Sequence, residues 1–227
     1  MRACNCAHWR TVLGFDGMFI VDCEGKKGGL IFLWKGARRV SIKSYSPGHI
    51  DSIIQEDETV WRFTGFYGNP DPNKRNESWN LLRRLASMLE IKEVPWLVGG
   101  DFNEICSRNE KFGGRLRPEN QMELFRNAIE ECELREIYGV GEFFTWVNRR
   151  SGSDIIFEKL DRFFSTFNWR ILYPTANSFT LEYFSSDHRA VEIIWQGWKN
   201  NVRQRNGAKQ QTSFASRSFG RRNDFSG

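Results

Sequence analysis

Residues 95–104 read PWLVGGDFNE, and this stretch decides the fold. The apolar run 96–98 has the length of a buried strand and is too short for a helix. Two glycines follow, and then Asp101 and Asn103. Such a strand fixes position, its glycines let a ligand approach the backbone, and its polar pair lies at the edge of a sheet. GDFN is also a common turn sequence, since Gly, Asp and Asn are turn formers. This stretch alone leaves both interpretations open.

Length and composition predict one globular domain. The chain has 227 residues, 40% of them hydrophobic and 15% aromatic, which is enough to bury a sizeable core. No apolar run approaches the length of a membrane span, and the N-terminus has no apolar segment typical of a secretion signal. The five cysteines are scattered without the spacing of a zinc site or a disulfide framework. We therefore expect an intracellular protein without a membrane partner, with the nucleus as one option.

The positive charge is concentrated at the C-terminal end. Of the net charge of +5, residues 196–227 contribute +6, from seven basic residues and one acid. Their Gln-, Asn-, Ser-, Arg- and Gly-rich composition predicts a basic disordered tail or linker. The body therefore carries little net charge, so its composition is weak evidence for a nucleic-acid-binding face.

Hydrophobic periodicity predicts an α+β (mixed α/β) fold. Several strands come first, without a βαβ repeat, and helices and further strands follow. We expect residues 1–13 to be a non-matching N-terminal segment, residues 14–195 the domain, and residues 196–227 the tail. The predicted strands are 18–22, 30–34, 39–44, 50–54, 60–67, 96–98, 143–147, 155–164, 179–183 and 190–195, with 155–164 as the hairpin partner of 143–147. The predicted helices are 76–90, 118–132 and 167–173.

Polar residues that could perform chemistry follow the predicted strands. Each has an ordinary alternative: an aromatic at the edge of the core, a surface ion pair, a loop acid or a structural histidine. Together, however, these residue types are those of metal-assisted phosphodiester hydrolysis, because carboxylates bind hard cations and a histidine held by an aspartate stabilises charge on phosphate. We expect them to converge on one pocket. They are Tyr67, Asp101, Asn103, Asp161, Asp187 and His188.

Ordered motifs resemble a known superfamily. The series GFYGNP (65–70), PWLVGGDFNE (95–104), FFTWVNRRSGSD (143–154) with KLDRFF (159–164), and SSDHR (185–189) resembles the endonuclease/exonuclease/phosphatase superfamily. The subgroup that it resembles most is the endonuclease domain of plant non-LTR (LINE-type) retrotransposons, also through residues 14–35 and 109–134. The resemblance implies a DNase I-like fold, a two-sheet β-sandwich flanked by helices.

The resemblance also implies a role for each candidate residue. Asp101 would orient or deprotonate the attacking water, while Asn103 and Tyr67 would bind the scissile phosphate. His188 would contact the phosphate and be oriented by Asp161. Asp187 and Asp101 would hold Mg²⁺, with Mn²⁺ as an alternative. Trp146, from the FTW segment, would pack below the site. DNA would be the substrate.

One part of the family pattern has no counterpart in this sequence. Family members begin with a strand bearing an asparagine, a helix, and a strand that ends in a glutamate, the principal magnesium ligand. The similarity here begins at Gly14, so the chain is expected to be N-terminally truncated and to lack that glutamate. A strand without its neighbour would leave unpaired backbone groups and an uncovered apolar face.

Three functions remain open from the sequence. The first is a divalent-metal-dependent DNA endonuclease domain derived from a retroelement, weak or inactive as written. The second is an inactive fold remnant with at most weak nucleic-acid binding through the basic tail. The third is a phosphatase or phosphodiesterase of the same superfamily that acts on a lipid head group.

Overall fold

A computed structural model describes residues 7–22, 29–36, 38–88, 91–182, 186–195 and 212–216. Within these ranges the α-helices are α1 (Ala7–Val12), α2 (Arg75–Ala86), α3 (Glu119–Glu131) and α4 (Phe167–Leu172). The strands of the same ranges are β1 (Gly17–Val21), β2 (Leu30–Trp34), β3 (Arg39–Ser46), β4 (His49–Glu56), β5 (Thr59–Tyr67), β6 (Trp96–Asp101), β7 (Lys111–Phe112), β8 (Arg135–Glu136), β9 (Gly139–Gly141), β10 (Trp146–Val147), β11 (Phe157–Glu158), β12 (Asp161–Ser165), β13 (Asn177–Thr180), β14 (Val191–Trp195) and β15 (Thr212–Ser216).

Two main sheets form the domain, which confirms the predicted mixed α/β architecture. The larger sheet has the strand order β3-β4-β5-β6-β12-β8, and the smaller has the order β15-β14-β13-β9. Strands β1 and β2 form a separate hairpin, and β10, β11 and β7 form a small third sheet. In the larger sheet β5 and β6 run parallel, with α2 between them in the chain. The run of strands before it is antiparallel through β3, β4 and β5, as the sequence predicts.

Side chains along each strand of the larger sheet point alternately to its two faces, and both faces carry apolar residues. Trp61, Phe63 and Phe163 belong to a core cluster that also contains Ile193 and Trp195 of β14, so these side chains fill the space between the two sheets.

The neighbouring residues along the same strands point the other way. Phe66, Val98 and Phe164 belong to a second cluster with Trp79 of α2 and Phe125 of α3. The two helices therefore cover the outer face of the larger sheet.

Strand β6 lies at the centre of the larger sheet, between β5 and β12. All six of its residues are buried, as the apolar run at 96–98 predicts. The role predicted for its glycines was wrong. A Cβ atom on Gly99 would lie 2.3 Å from the Phe163 ring, and one on Gly100 would lie 2.0 Å from the Phe66 carbonyl oxygen. These glycines make room for neighbouring strands and not for a ligand.

The predicted strand 155–164 is divided in the structure. Only Phe157–Glu158 pairs with β10, whereas Asp161–Ser165 becomes β12 and pairs with β6 in the larger sheet. Lys159 and Leu160 belong to neither strand, and at these two residues the chain passes from the small sheet to the large one. This change of sheet places Asp161 beside Asp101.

Both ends of the chain differ from the sequence predictions where the structure describes them. Residues 7–12, predicted without periodicity, form α1. Within the predicted tail, residues 212–216 form β15, which pairs antiparallel with β14 over its whole length. Strand β14 is thus hydrogen-bonded on both sides, by β13 and β15. Residues 196–211 and 217–227 lie outside the described residues.

Candidate active site

Three adjacent strands of the larger sheet present polar residues at the same level. In the register of the sheet, Tyr67 of β5 lies opposite Asp101 of β6, and Asp101 lies opposite Asp161 of β12. The parallel pairing of β5 with β6 and the antiparallel pairing of β6 with β12 bring the end of two strands and the start of the third to one edge. The three side chains therefore share one corner of the sheet.

His188 joins this corner through Asp161. The His188 Nδ1 atom lies 2.8 Å from Asp161 Oδ2, and both residues are buried. The His188 Nε2 atom lies 3.9 Å from Asp101 Oδ2, which is too long for a hydrogen bond. The imidazole is therefore held on one side by a carboxylate and directs its other nitrogen toward the space beside Asp101.

Asn103 braces Asp101 from the loop that follows β6. Its backbone N–H donates to Asp101 Oδ1 at 2.8 Å, and its amide nitrogen donates to Asp101 Oδ2 at 3.0 Å and to the Gly68 carbonyl oxygen at 3.0 Å. Asn103 has a φ of +54°, in the left-handed region that asparagine tolerates better than most residues. The amide thus fixes Asp101 and ties the end of β5 to the end of β6.

Residues 186–189 are attached to the site through Trp146 of β10. The Trp146 indole N–H donates to Asp187 Oδ2 at 3.2 Å, and Trp146 forms a β-bridge with His188. Trp146 was predicted to pack below the site, and the structure adds that it orients the Asp187 carboxylate. Asp101, Asn103, Asp161 and His188 are therefore brought into contact, while Tyr67 and Asp187 flank them.

Burial and charge shift the titration of the site. Burial, with the Asp161 carboxylate, raises the pKa of Asp101 well above its usual range. Burial disfavours the charged form of His188, but the charge and hydrogen bond of Asp161, with Asp101 and Asp187, outweigh it and raise the pKa of His188 to about 9. Burial, with Asp101, raises the pKa of Tyr67 to about 12. At neutral pH the site therefore combines a protonated His188, a neutral Tyr67 and an Asp101 carboxyl group whose pKa is raised toward neutrality.

The carboxylates of this corner fit a divalent cation. Among the described residues, Asp101, Asp161 and His188 offer ligand atoms within 4.8 Å of one another. The buried Asp161 Oδ1 atom has no hydrogen-bond partner, so one oxygen of the group is uncommitted. Carboxylate oxygens are the ligands that Mg²⁺ and Mn²⁺ prefer. Asp101 was predicted as a ligand and belongs to this group. Asp187, predicted with it, lies outside the group.

Sequence reasoning assigned no role to two residues that support the site. The Thr145 hydroxyl, buried, accepts hydrogen bonds from the backbone N–H groups of Leu160 and Asp161, each at 2.9 Å, and so fixes the start of β12. The Ser186 hydroxyl accepts from the His188 N–H at 3.2 Å. Both residues stand inside quoted motifs, FTW and SSDH, which was the available signal.

A buried ion-pair network lies behind the two loops of the site. Arg75 at the start of α2 contacts Glu104 at 2.8 Å, and Arg117 contacts the other oxygen of Glu104 at 3.1 Å. Arg75 also donates to the carbonyl oxygen of Asn69 at 3.4 Å. Glu104 follows Asn103 directly, so the network connects the loop after β5 with the loop after β6. Its only signal in the sequence was the final residue of GDFNE.

Comparison with solved structures identifies the architecture. The endonuclease domain of TRAS1, a telomere-specific non-LTR retrotransposon, superposes with a TM-score of 0.58 at 14% identity, over 86% of this chain and 91% of that one. The chain has a DNase I-like endonuclease/exonuclease/phosphatase fold. Truncated TDP2 from Caenorhabditis elegans gives a TM-score of 0.54 at 10% identity, over 86% of this chain and 81% of that one.

A third neighbour carries a different activity on this fold. The mannosyl-6-phosphatase of Bacteroides thetaiotaomicron gives a TM-score of 0.53 at 14% identity, over 84% of this chain and 80% of that one. No protein-family profile matches the chain, and no curated protein matches it in sequence. These likenesses establish the fold, on which both nucleases and phosphatases are built. Among the described residues, no helix is long and apolar enough to cross a membrane.

The titration of His188 predicts a loss of stability at alkaline pH. Its pKa is raised from 6.5 to about 9. The protonated form therefore adds fully to the free energy of unfolding below pH 6.5, and this contribution is lost as the pH rises through 9. The shift corresponds to about 3 kcal/mol of unfolding free energy. Urea unfolding of the wild type between about pH 6 and pH 10 should show this decrease, and His188→Gln should reduce it.

His49 provides a control of opposite sign. It is buried between the hydroxyls of Ser44 and Ser46, and burial lowers its pKa to about 4. Its neutral form contributes above pH 6.5, and that contribution is lost as the pH falls toward 4. His49→Gln should therefore change the acid limb and keep the alkaline decrease. An alkaline decrease that persists in His188→Gln would show that another group causes it.

Proposed function

We propose that this chain is a divalent-cation-dependent phosphodiesterase that hydrolyses the DNA backbone, of the type found in non-LTR retrotransposons, with weak turnover. The observation that carries the proposal is the contact of Asp101, Asn103, Asp161 and His188 at one corner of the larger sheet, beside Tyr67. Ion-binding carboxylates, a phosphate-binding cation and neutral donors together are what phosphodiester hydrolysis requires.

In the proposed reaction each of these residues has a separate role. Asp101 accepts a proton from a water molecule whose oxygen bonds to phosphorus as the bond to the leaving oxygen breaks, and solvent reprotonates that oxygen. The raised pKa of Asp101 suits a general base near neutral pH. The His188 imidazolium, held by Asp161, and the Tyr67 hydroxyl stabilise the negative charge on the phosphate. A bound Mg²⁺ or Mn²⁺, held by the carboxylates of Asp101 and its neighbours, would supply further charge neutralisation.

Weak turnover is proposed because the acidic group is small. Among the described residues it contains Asp101 and Asp161 but no glutamate. Mg²⁺ demands near-octahedral oxygen coordination, and water would fill the remaining positions without fixing the ion. A misplacement of about 1 Å can lower a rate by about 10²-fold. We therefore propose a site that has the residues for binding the phosphate, His188 among them, but too few carboxylates to hold the cation in a fixed position.

The test is a nicking assay on supercoiled plasmid DNA with Mg²⁺ or Mn²⁺, and with EDTA as the control. We expect slow nicking that EDTA abolishes. Robust nicking at the rate of an efficient nuclease that disappears in both Asp101→Ala and His188→Ala would contradict the weak turnover, because the site would then assemble a working metal centre. Nicking that is equal with and without EDTA would contradict the proposed cation dependence.

A second candidate is a catalytically inactive remnant that binds nucleic acid without turnover. One observation favours it, namely that the acidic group has only two carboxylates among the described residues. Binding of the same plasmid without nicking in either metal, with affinity that falls steeply with salt, would support this candidate.

A further inference from the structure

A cavity opens beside Tyr67, on the side away from Asp161. It has a volume of about 290 Å³ and three walls. One wall is the turn between β3 and β4 (residues 46–48), and the second is the end of β5 with the loop after it (Tyr67, Asn69 and Pro70). The third wall is formed by side chains of α2: Glu77, Ser78, Leu81 and Arg84. Its volume is close to the lower limit of small-molecule sites, which are about 300–1,000 Å³. None of the roles assigned above uses this cavity.

We propose that this cavity binds the sugar and base of the nucleotide that adjoins the scissile phosphate. The inference rests on the proposed function, whose site it extends. Tyr67 belongs to both places, since it lines the cavity and lies opposite Asp101 in the sheet. A phosphodiester held between Tyr67 and His188 therefore carries one of its two nucleosides into the cavity.

The charges of the lining select the uncharged part of a nucleotide. The lining contains one cation, Arg84, and one anion, Glu77, so its formal charges cancel. A site for a free phosphate would need an excess of positive charge or several free N–H donors. The other lining groups are hydroxyl, amide and apolar, with Pro47, Pro70 and Leu81 as the apolar surface. Such a mixture of apolar walls and few polar groups suits a nucleoside.

The polar walls are held in place by hydrogen bonds within the protein. The Ser46 hydroxyl lies 2.8 Å from His49 Nδ1 and accepts from the Gly48 N–H at 3.2 Å. The Ser78 hydroxyl accepts from the Asn69 N–H at 2.9 Å, which joins α2 to the loop after β5. The Tyr67 N–H donates to the Gly48 carbonyl oxygen at 2.9 Å. The three walls are therefore connected to one another, and the cavity is formed before a ligand arrives.

A filled cavity predicts a preference among substrates. A polynucleotide places a nucleoside on either side of each phosphate, whereas a sugar phosphate of the kind cleaved by a phosphomonoesterase has no second ester group to enter the cavity. The inference thus assigns the substrate class of the site as a nucleic-acid phosphodiester.

The experiment measures DNA binding with EDTA present, so that no turnover is needed. Fluorescence anisotropy of a fluorescein-labelled oligonucleotide gives Kd for the wild-type chain and for Leu81→Trp, in which the indole fills the cavity from α2. We expect Kd to rise by about 10-fold or more, the loss of one well-packed nucleoside contact. Leu124→Trp, at an exposed leucine of α3, is the matched control and should leave Kd unchanged.

A second variant and a competition complete the design. Arg84→Trp reaches the cavity from an exposed position, so it does not disturb the core, and it should raise Kd as well. A deoxynucleoside monophosphate should compete with the oligonucleotide at lower concentration than inorganic phosphate does. Kd values of Leu81→Trp and Arg84→Trp that equal the wild-type value, or equal competition by the two compounds, would overturn the proposal.

The binding assay separates this inference from the proposed function. A wild-type chain that binds DNA, loses affinity in both tryptophan variants and never nicks plasmid supports the cavity and overturns the proposed hydrolysis. Nicking by a chain whose DNA affinity is indifferent to both variants supports hydrolysis and overturns the cavity. A wild-type chain that binds no DNA in EDTA overturns the cavity, and the nicking assay with Mg²⁺ or Mn²⁺ then decides on the proposed hydrolysis by itself.

Discussion

Asp161→Asn is expected to lower metal-dependent nicking by about 10³-fold, within the range of about 10²–10⁴ that positioned acid–base groups contribute. Asp161 Oδ2 lies 2.8 Å from His188 Nδ1 and is the main source of the charge that keeps the imidazole protonated. Asparagine keeps the size of the side chain but removes the charge. The imidazolium that stabilises the phosphate in the proposed mechanism would then lose its main opposing charge and would be less protonated at physiological pH.

A readout independent of activity accompanies this prediction. The pKa of His188, followed by NMR of the imidazole ring, should fall from about 9, since only the charges of Asp101 and Asp187 would then oppose the effect of burial. Asp154→Asn, at an exposed aspartate between β10 and β11, is the control and should change neither quantity. Unchanged nicking together with a lowered pKa would show that the charge of His188 has no part in the reaction.

The convergence of these side chains could be predicted because Tyr67 and Asp101 end strands and Asp161 begins one. Asp101 follows a run of apolar residues and Asp161 comes before one, and the burial of these runs fixes the level of both aspartates in neighbouring strands. The resemblance of the motifs added His188 to the set. These predictions needed only local sequence and the rule that side chains at one edge of a sheet lie close together.

The sequence predictions that were wrong or missing concern features that depend on residues distant in sequence but close in the folded chain. The space that Gly99 and Gly100 provide is defined by Phe163 and by the backbone of Phe66, which lie far away in sequence. The division of 155–164 into two strands depends on which sheet accepts Asp161, and a continuous β-rich pattern does not record such a change. The role of Thr145 depends on backbone donors fifteen and sixteen residues away.

The C-terminal segment 196–227 also shows that a prediction from composition misses pairing with a distant strand. Composition predicts disorder for residues 196–227, yet Thr212–Ser216 pairs with the open side of β14. An exposed strand edge offers unpaired N–H and C=O groups to any extended segment, and this gain does not depend on apolar composition. A prediction from composition alone cannot include the edge that a distant part of the chain leaves available.

Glu104→Ala should have the largest effect on stability, about 3–5 kcal/mol, the usual cost of removing one partner of a buried ion pair. The glutamate is fully buried, and its two oxygens contact Arg75 at 2.8 Å and Arg117 at 3.1 Å. Its removal leaves both guanidinium groups in the interior with less compensation. For Arg75 in particular, burial already lowers the pKa, and the Glu104 carboxylate is the main opposing charge. Urea unfolding monitored by tryptophan fluorescence would measure the loss as a lower midpoint.

An exposed ion pair of the same kind supplies the control for this variant. Glu131 of α3 pairs with Arg83 of α2 at the surface, where solvent screens the interaction, so Glu131→Ala should change the midpoint little. Glu104→Gln should fall between the two, because the amide keeps one acceptor oxygen but not the charge. The same loss should reach the site, since Arg75 holds the loop after β5 and Glu104 adjoins Asn103. If Glu104→Ala unfolded at the same urea concentration as Glu131→Ala, the buried network would contribute nothing to the fold, and solvation of both arginines by water would have to replace it.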